Sequence, residues 1–297
     1  MARTHTQALA FGETEDTLYL LVTEAKKYRV VELRQGERTR DFSVPSGMWL
    51  MTSFVSPEQG LTLVLASRSG KTHVVVPGKR GKTVEIPTVG NGPLSGDYRG
   101  YVGELVTVAQ RPCLAGMGNQ FYAWDGSAWR DERGSLRIGR EILTGIKAVV
   151  PMGMAPAVAT RGEVHVLESG EWRRLPFTFD EEVKALAYRE SDGTLFAAGN
   201  TLWRVTDGKD CQPVALTTKA AWWDAAVLGE QLYLSDLKSV FRVEGDTVVE
   251  VLPPGASVNH NHAMHVRGGT LHVVREDGVH RFDGARWTLI PSPELGG

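Results

Sequence analysis

Between His262 and Pro291 the chain reads HAMHVRGGTLHVVREDGVHRFDGARWTLIP. Four short apolar runs stand out: Ala263–Val266, Leu271–Val274, Val279–Phe282 and Trp287–Ile290. Three polar turns separate them, Arg267-Gly268-Gly269, Glu276-Asp277-Gly278 and Asp283-Gly284. Runs this short, rich in β-branched and aromatic residues and bounded by Gly and Asp, predict the strands of an antiparallel meander. A meander of about 30 residues cannot bury both of its faces, so it needs copies of itself.

The copies are marked by the glycine between the third and fourth runs. Counting forward these are Gly36, Gly78, Gly126, Gly170, Gly208, Gly245 and Gly284, at spacings of 42, 48, 44, 38, 37 and 39. Glycine recurs there because such turns need a positive φ. A second mark is a proline that stops the fourth run, at Pro45, Pro87, Pro176, Pro253 and Pro291. A proline cannot donate to the ladder. Repeats of about 40–50 residues with four strands each predict a β-propeller. Two small β domains or a sandwich would not keep one period from residue 3 to residue 293.

We therefore expect one all-β domain over residues 1–297, a seven-bladed propeller with four antiparallel strands per blade. The expected blades are residues 3–45, 46–89, 90–136, 137–180, 181–217, 218–255 and 256–293. The fourth strand of the fifth is placed at Pro213–Leu216. First strands such as ALAF, TSFV, KAVV and DAAVL are rich in small residues and are expected to line the central channel. No strand exchange between the chain ends is expected, because the first and last units each supply four consecutive runs. Trp124, Trp129, Trp172, Trp203 and Trp287 fall on third or fourth strands and are read as packing between blades.

The run GVHRFDGARW and its weaker copies QFYAWDGSAW and EVHVLESGEW resemble repeats of bacterial regulator-type and kelch-like propellers. The kelch double glycine appears once, at Gly268-Gly269, and the Gly-His and Trp-Asp pairs of WD repeats are absent as a series. The resemblance implies a scaffold and carries no catalytic residue over.

Charge narrows the partners. With 33 basic and 35 acidic residues the formal net charge is −2, so there is no footprint for nucleic acid. The opening MARTHTQALAFGETED lacks the apolar core of a signal peptide, and no apolar run approaches 18 residues. The cysteines, Cys113 and Cys211, fall in different repeats and are not expected to bridge. These features predict a cytoplasmic monomer with no membrane contact.

Three constellations are candidates for function. In SVNHNHAMH, His260, His262 and His265 form the densest polar cluster; a metal there would need a further ligand such as His5 or Asp224. A polar loop of hydrogen-bonded histidines is the better reading, and no metal or cofactor is expected. The second constellation gathers the segments leading into first strands: Met48 and Trp49, Asp97, Tyr98 and Arg99, Trp222, Trp223 and Asp224, and His260 and His262. Aromatics, Met and Arg together match a protein-binding hot spot, and side chains that plug the central channel explain them equally. Trp222 and Trp223 are adjacent, so both cannot easily pack in one core. The third, Glu181-Glu182, is a candidate acid pair but reads better as a solvated loop. No nucleophile elbow, phosphate loop or C-x-x-C pair is found. The reading is a non-catalytic module that binds another protein, such as an immunity-type neutralising partner. The alternative is a propeller enzyme, such as a metal-dependent hydrolase using the histidine cluster.

Overall fold

The structure is a computed structural model and describes residues 4–86, 89–90, 100–136, 145–252 and 264–294. These residues form 28 strands and one 3-10 turn, Gly134–Leu136. The strands make seven four-stranded antiparallel sheets, each in chain order, and the fold is a seven-bladed β-propeller. By packing, the chain divides into two compact units. One holds Met1–Ile146, Glu276–Gly278 and Pro291–Gly297; the other holds Lys147–Arg275 and Val279–Ile290.

The first unit contains three blades. The first blade is β1 (Thr4–Phe11), β2 (Thr17–Glu24), β3 (Lys27–Arg34) and β4 (Glu37–Ser43). The second is β5 (Leu50–Ser56), β6 (Gly60–Ala66), β7 (Lys71–Val75) and β8 (Lys82–Glu85). The third is β9 (Val102–Val108), β10 (Arg111–Gly116), β11 (Phe121–Trp124) and β12 (Trp129–Asp131).

The second unit continues with β13 (Ala148–Met152), β14 (Ala155–Thr160), β15 (Glu163–Glu168) and β16 (Glu171–Arg174). The fifth blade is β17 (Ala185–Arg189), β18 (Thr194–Ala198), β19 (Leu202–Thr206) and β20 (Asp210–Val214). The sixth is β21 (Asp224–Leu228), β22 (Gln231–Ser235), β23 (Val240–Glu244) and β24 (Thr247–Leu252). The seventh is β25 (Met264–Arg267), β26 (Thr270–Arg275), β27 (Gly278–Phe282) and β28 (Trp287–Pro291).

Burial follows position in the blade. Second strands such as β6, β10 and β14 are buried on both faces, because each sheet packs against its neighbours. Fourth strands are edges, and β4 and β8 carry Arg, Lys and Glu on them, which discourages edge-to-edge pairing. The apolar clusters join successive blades: Ala8, Met51 and Leu65 in one, Phe54, Leu114 and Trp124 in the next. In the second unit Val166 packs with Leu186, and Phe196 with Trp222 and Leu234.

The repeat marks have physical causes. All seven anchor glycines hold φ between 62° and 100°, where an L side chain is strained. Trp129 donates its indole N–H to Thr72 Oγ1 of the preceding blade at 2.9 Å, and Trp203 meets Phe179 edge-on at 5.3 Å. One strand is displaced from its expected place. The fourth strand of the fifth blade is Asp210–Val214, not Pro213–Leu216, because the hairpin at Asp207-Gly208-Lys209 is tight and pairs Thr206 with Asp210 at once. Ala215 and Leu216 belong to the connector. Pro87 and Pro253 lie outside the described residues.

Among the described residues no strand is exchanged between the ends. β1 pairs with β2, and β25 to β28 form their own sheet. A polar latch in the first unit holds the termini instead. Thr6 N–H donates to Glu276 O at 3.3 Å, and Ser292 N–H to Asp277 O at 2.7 Å. The Thr6 and Ser292 hydroxyls meet at 2.6 Å, and Ser292 Oγ also donates to Glu276 O at 2.9 Å. Thr6→Val and Ser292→Ala are each expected to cost about 1 kcal/mol of unfolding free energy. A double-mutant cycle in urea should give a non-zero coupling; full additivity would show that the hydroxyls act independently.

Candidate functional site

One register position recurs at the ends of the sheets. The residue just before the first strand donates its N–H back to the end of the second strand, which fixes its direction. Trp49 donates to Ala66 O at 2.9 Å, Lys147 to Ala159 O at 2.9 Å, Lys184 to Ala198 O at 2.8 Å and Trp223 to Ser235 O at 2.8 Å. In extended chain the neighbouring residue points the opposite way. The preceding residues Met48, Ile146, Val183 and Trp222 are accordingly all buried, while Trp49 is 37% and Trp223 45% exposed.

The exposed position carries paired aromatic and cationic groups. In the first unit the Arg68 guanidinium lies 5.3 Å from the Trp49 ring centre. In the second unit Lys184 Nζ stands 4.0 Å over the Trp223 ring. At exposed sites such contacts hold a ring in place for about 0.5–1 kcal/mol. Lys147 Nζ pairs with Glu182 Oε1 at 3.0 Å. Glu181 turns the other way, and its two oxygens accept the Asn200 and Thr201 N–H groups, both at 2.8 Å. Glu181 and Glu182 are therefore a turn cap and an ion pair, not an acid pair.

Asp224, the first residue of β21, closes the sixth blade onto the seventh. Its Oδ2 accepts the Met264 N–H at 2.6 Å and its Oδ1 the Ala225 N–H at 2.8 Å. The residue as a whole is only partly buried, but its carboxyl group is enclosed, and burial pushes its pKa up to about 7 against the pull of those two N–H donors. Burial also pushes His265, on β25, down to about 4, so it is neutral at pH 7.

The structure redistributes the residues singled out in the sequence. Trp49 and Trp223 reach solvent. Met48 and Trp222 do not, at 0% and 1% exposure; the register that turns their neighbours outward turns them into the core, and Trp222 meets Phe241 edge-on at 5.5 Å. They leave the expected contact surface for that reason. Asp224 serves as a clasp between two strands. Asp97, Tyr98, Arg99, His260 and His262 lie outside the described residues. Among the described residues no group of three or more His, Cys, Asp or Glu is placed to hold a metal ion. The sequence reading missed Arg68, Lys147 and Lys184, and it did not foresee the ion pair of Glu182 with Lys147. Lys147 and Lys184 were findable, because they occupy the same place in the repeat as the two exposed tryptophans.

No known protein family matches the chain, and no curated protein matches it. The fold is widespread, with 915 matching solved chains. One is the WD40 β-propeller domain of Doa1. This chain is similar to it with a TM-score of 0.66 and 9% sequence identity, over 95% of this chain and 93% of that one. At that identity the likeness shows the fold alone, and one fold hosts many functions. No helix among the described residues is long and apolar enough to cross a membrane.

Proposed function

We propose that the protein is a non-catalytic binding module for another protein, a regulatory or neutralising partner of the immunity type that acts in the cytoplasm as a monomer. The observation that carries this reading is the exposed, cation-backed tryptophan at one register position in two blades, Trp49 on Arg68 and Trp223 on Lys184. An indole held open to water in a fixed orientation presents a large contact area at little conformational cost, which is the property of a hot-spot residue. A purely structural tryptophan would be turned inward, as Trp222 is.

The test is affinity capture with mass spectrometry on the wild-type chain and on a Trp49→Ala, Trp223→Ala variant of equal melting temperature. A partner enriched by the wild type and lost by the variant is expected. A partner kept by that variant but lost on changing Lys79 and Arg80, in the β7–β8 turn at the other end of the second sheet, would place binding at the wrong end of the blades.

A further inference from the structure

The edge strands of the sheets are not equally guarded. β4, β8, β12 and β16 each carry Lys or Arg, and β20 and β28 each carry a proline. Either device discourages pairing with a further strand. β24 in the second unit, Thr247–Leu252, reads TVVEVL and has neither. Among the described residues it pairs with β23 and with no other strand. Alternate N–H and C=O groups of such an edge point away from its sheet. None of the backbone bonds formed outside the sheets by the described residues involves Thr247–Leu252.

The side chains of β24 suit a guest strand. Val248 packs against the apolar cluster of the fifth and sixth blades and Val251 against that of the sixth and seventh, while Val249 between them is 39% exposed. β-branched residues favour cross-strand contact. The edge is held in place before a guest arrives: Thr247 Oγ1 donates to Glu244 O at 2.9 Å, and Thr217 N–H to Asp246 O at 2.9 Å. Charge selects the kind of guest. β24 and the turn before it carry Asp246 and Glu250 and no cation. Glu250 is exposed, and one of its oxygens accepts the Ser239 hydroxyl at 2.9 Å; the other makes no bond or ion pair among the described residues. Glu244 is taken by Arg242. A second copy of this chain would bring another Asp246 and Glu250 to the same short edge, where like charges repel.

We propose that the edge of β24 takes up an extended segment of a partner protein as a fifth strand of its sheet, a segment with β-branched residues and a Lys or Arg opposite Glu250. Main-chain hydrogen bonds hold the segment, and the valines and Glu250 select it. This rests on the reading of the protein as a binding module and gives the partner a second point of contact besides the exposed tryptophans.

The test titrates three capped heptapeptides into the whole chain: Ser-Thr-Val-Lys-Val-Thr-Gly, the same with Glu for Lys, and the same N-methylated at Val, Lys and Val, which removes donors from both edges of the peptide. Amide NMR shifts and hydrogen exchange follow binding. The Lys peptide should saturate, with shifts confined to residues 240–252 and slower exchange of the β24 amides. The Glu peptide and the methylated peptide should each bind at least about tenfold more weakly. Val249→Lys, which supplies the missing guard, should cost a similar factor, and Glu250→Lys should reverse the preference so that the Glu peptide binds better; a melting curve checks that each variant is folded. Absence of saturable binding, equal binding of the methylated peptide, or an unchanged preference in Glu250→Lys would overturn the proposal. A wild-type dimer that Val249→Lys dissolves, with no peptide bound, would assign the edge to a second copy and overturn it as well. The Trp49→Ala, Trp223→Ala variant separates this inference from the rim reading, because it should bind the Lys peptide as the wild type does. Peptide binding with no partner captured counts against the rim alone, and partner capture with no peptide bound counts against β24 alone.

Discussion

Truncating Trp223 to Ala should weaken partner binding about thirtyfold, close to 2 kcal/mol, and shift the melting temperature by no more than about 2 °C. Truncating the adjacent Trp222 should do the reverse. Trp223 is 45% exposed and touches Lys184 through one cation–π contact, so the fold loses about 0.5–1 kcal/mol without it. Trp222 is 1% exposed, packs with Phe196, Leu202 and Leu234, and donates its N–H to Gly199 O at 2.7 Å. Replacing it by Ala leaves a large cavity at a cost of about 3–5 kcal/mol. Both quantities are measured on both variants. If Trp223→Ala binds normally and Trp222→Ala alone loses binding at unchanged stability, the assignment of the exposed indole to the partner surface fails.

The blades were legible because their signals are local. Each anchor glycine sits at a turn whose positive φ only glycine adopts cheaply, and alternation of small apolar residues marks the first strands. The displaced fourth strand of the fifth blade shows the limit. Cys211 and Gln212 look like turn residues, yet they pair with Val205 and Arg204, while the apolar Ala215 and Leu216 look like strand and line a cavity instead. A short apolar run does not by itself mark a strand: Ala215 is exposed and Leu216 half-buried in the connector.

The candidate site was half legible. That only one of Trp222 and Trp223 packs inward follows from strand alternation, but which one depends on the bond from Trp223 N–H to Ser235 O, set by residues a hairpin away. The same holds for Met48 and Trp49. The contact of Lys184 with Trp223 spans one repeat and exists because successive blades bring equivalent positions side by side, so a reading of each segment alone could not find it. The two adjacent carboxylates part company for a similar reason: Glu181 turns to the β18–β19 turn and Glu182 to Lys147 of the preceding blade.

Asp224 should make the fold less stable as pH rises through neutrality, and Asp224→Asn should remove that dependence. Burial holds the Asp224 pKa at about 7 in the folded chain, against 3.8 for the free side chain. Between those values the folded state binds a proton that the unfolded state has released, so unfolding free energy falls as pH rises from about 4 to about 7 and is flat beyond. A displacement of about three units corresponds to a change on the order of 2–4 kcal/mol. Buried histidines act in the opposite direction. His265 and His272 are pushed down to about 4, and His73 and His165 are lowered as well. These groups add stability as pH rises from about 4 to 6.5, where the unfolded chain still holds their protons. The wild-type curve alone therefore mixes two slopes, and the informative quantity is the difference between wild type and Asp224→Asn. Urea unfolding of both proteins at intervals from pH 4.5 to 8 supplies it. The advantage of the wild type should shrink steadily to about pH 7 and then level off. A difference that stays constant across that range would mean that Asp224 ionises like an ordinary carboxylate. The two N–H groups of Met264 and Ala225 would then be holding a full charge at the junction of the sixth and seventh blades.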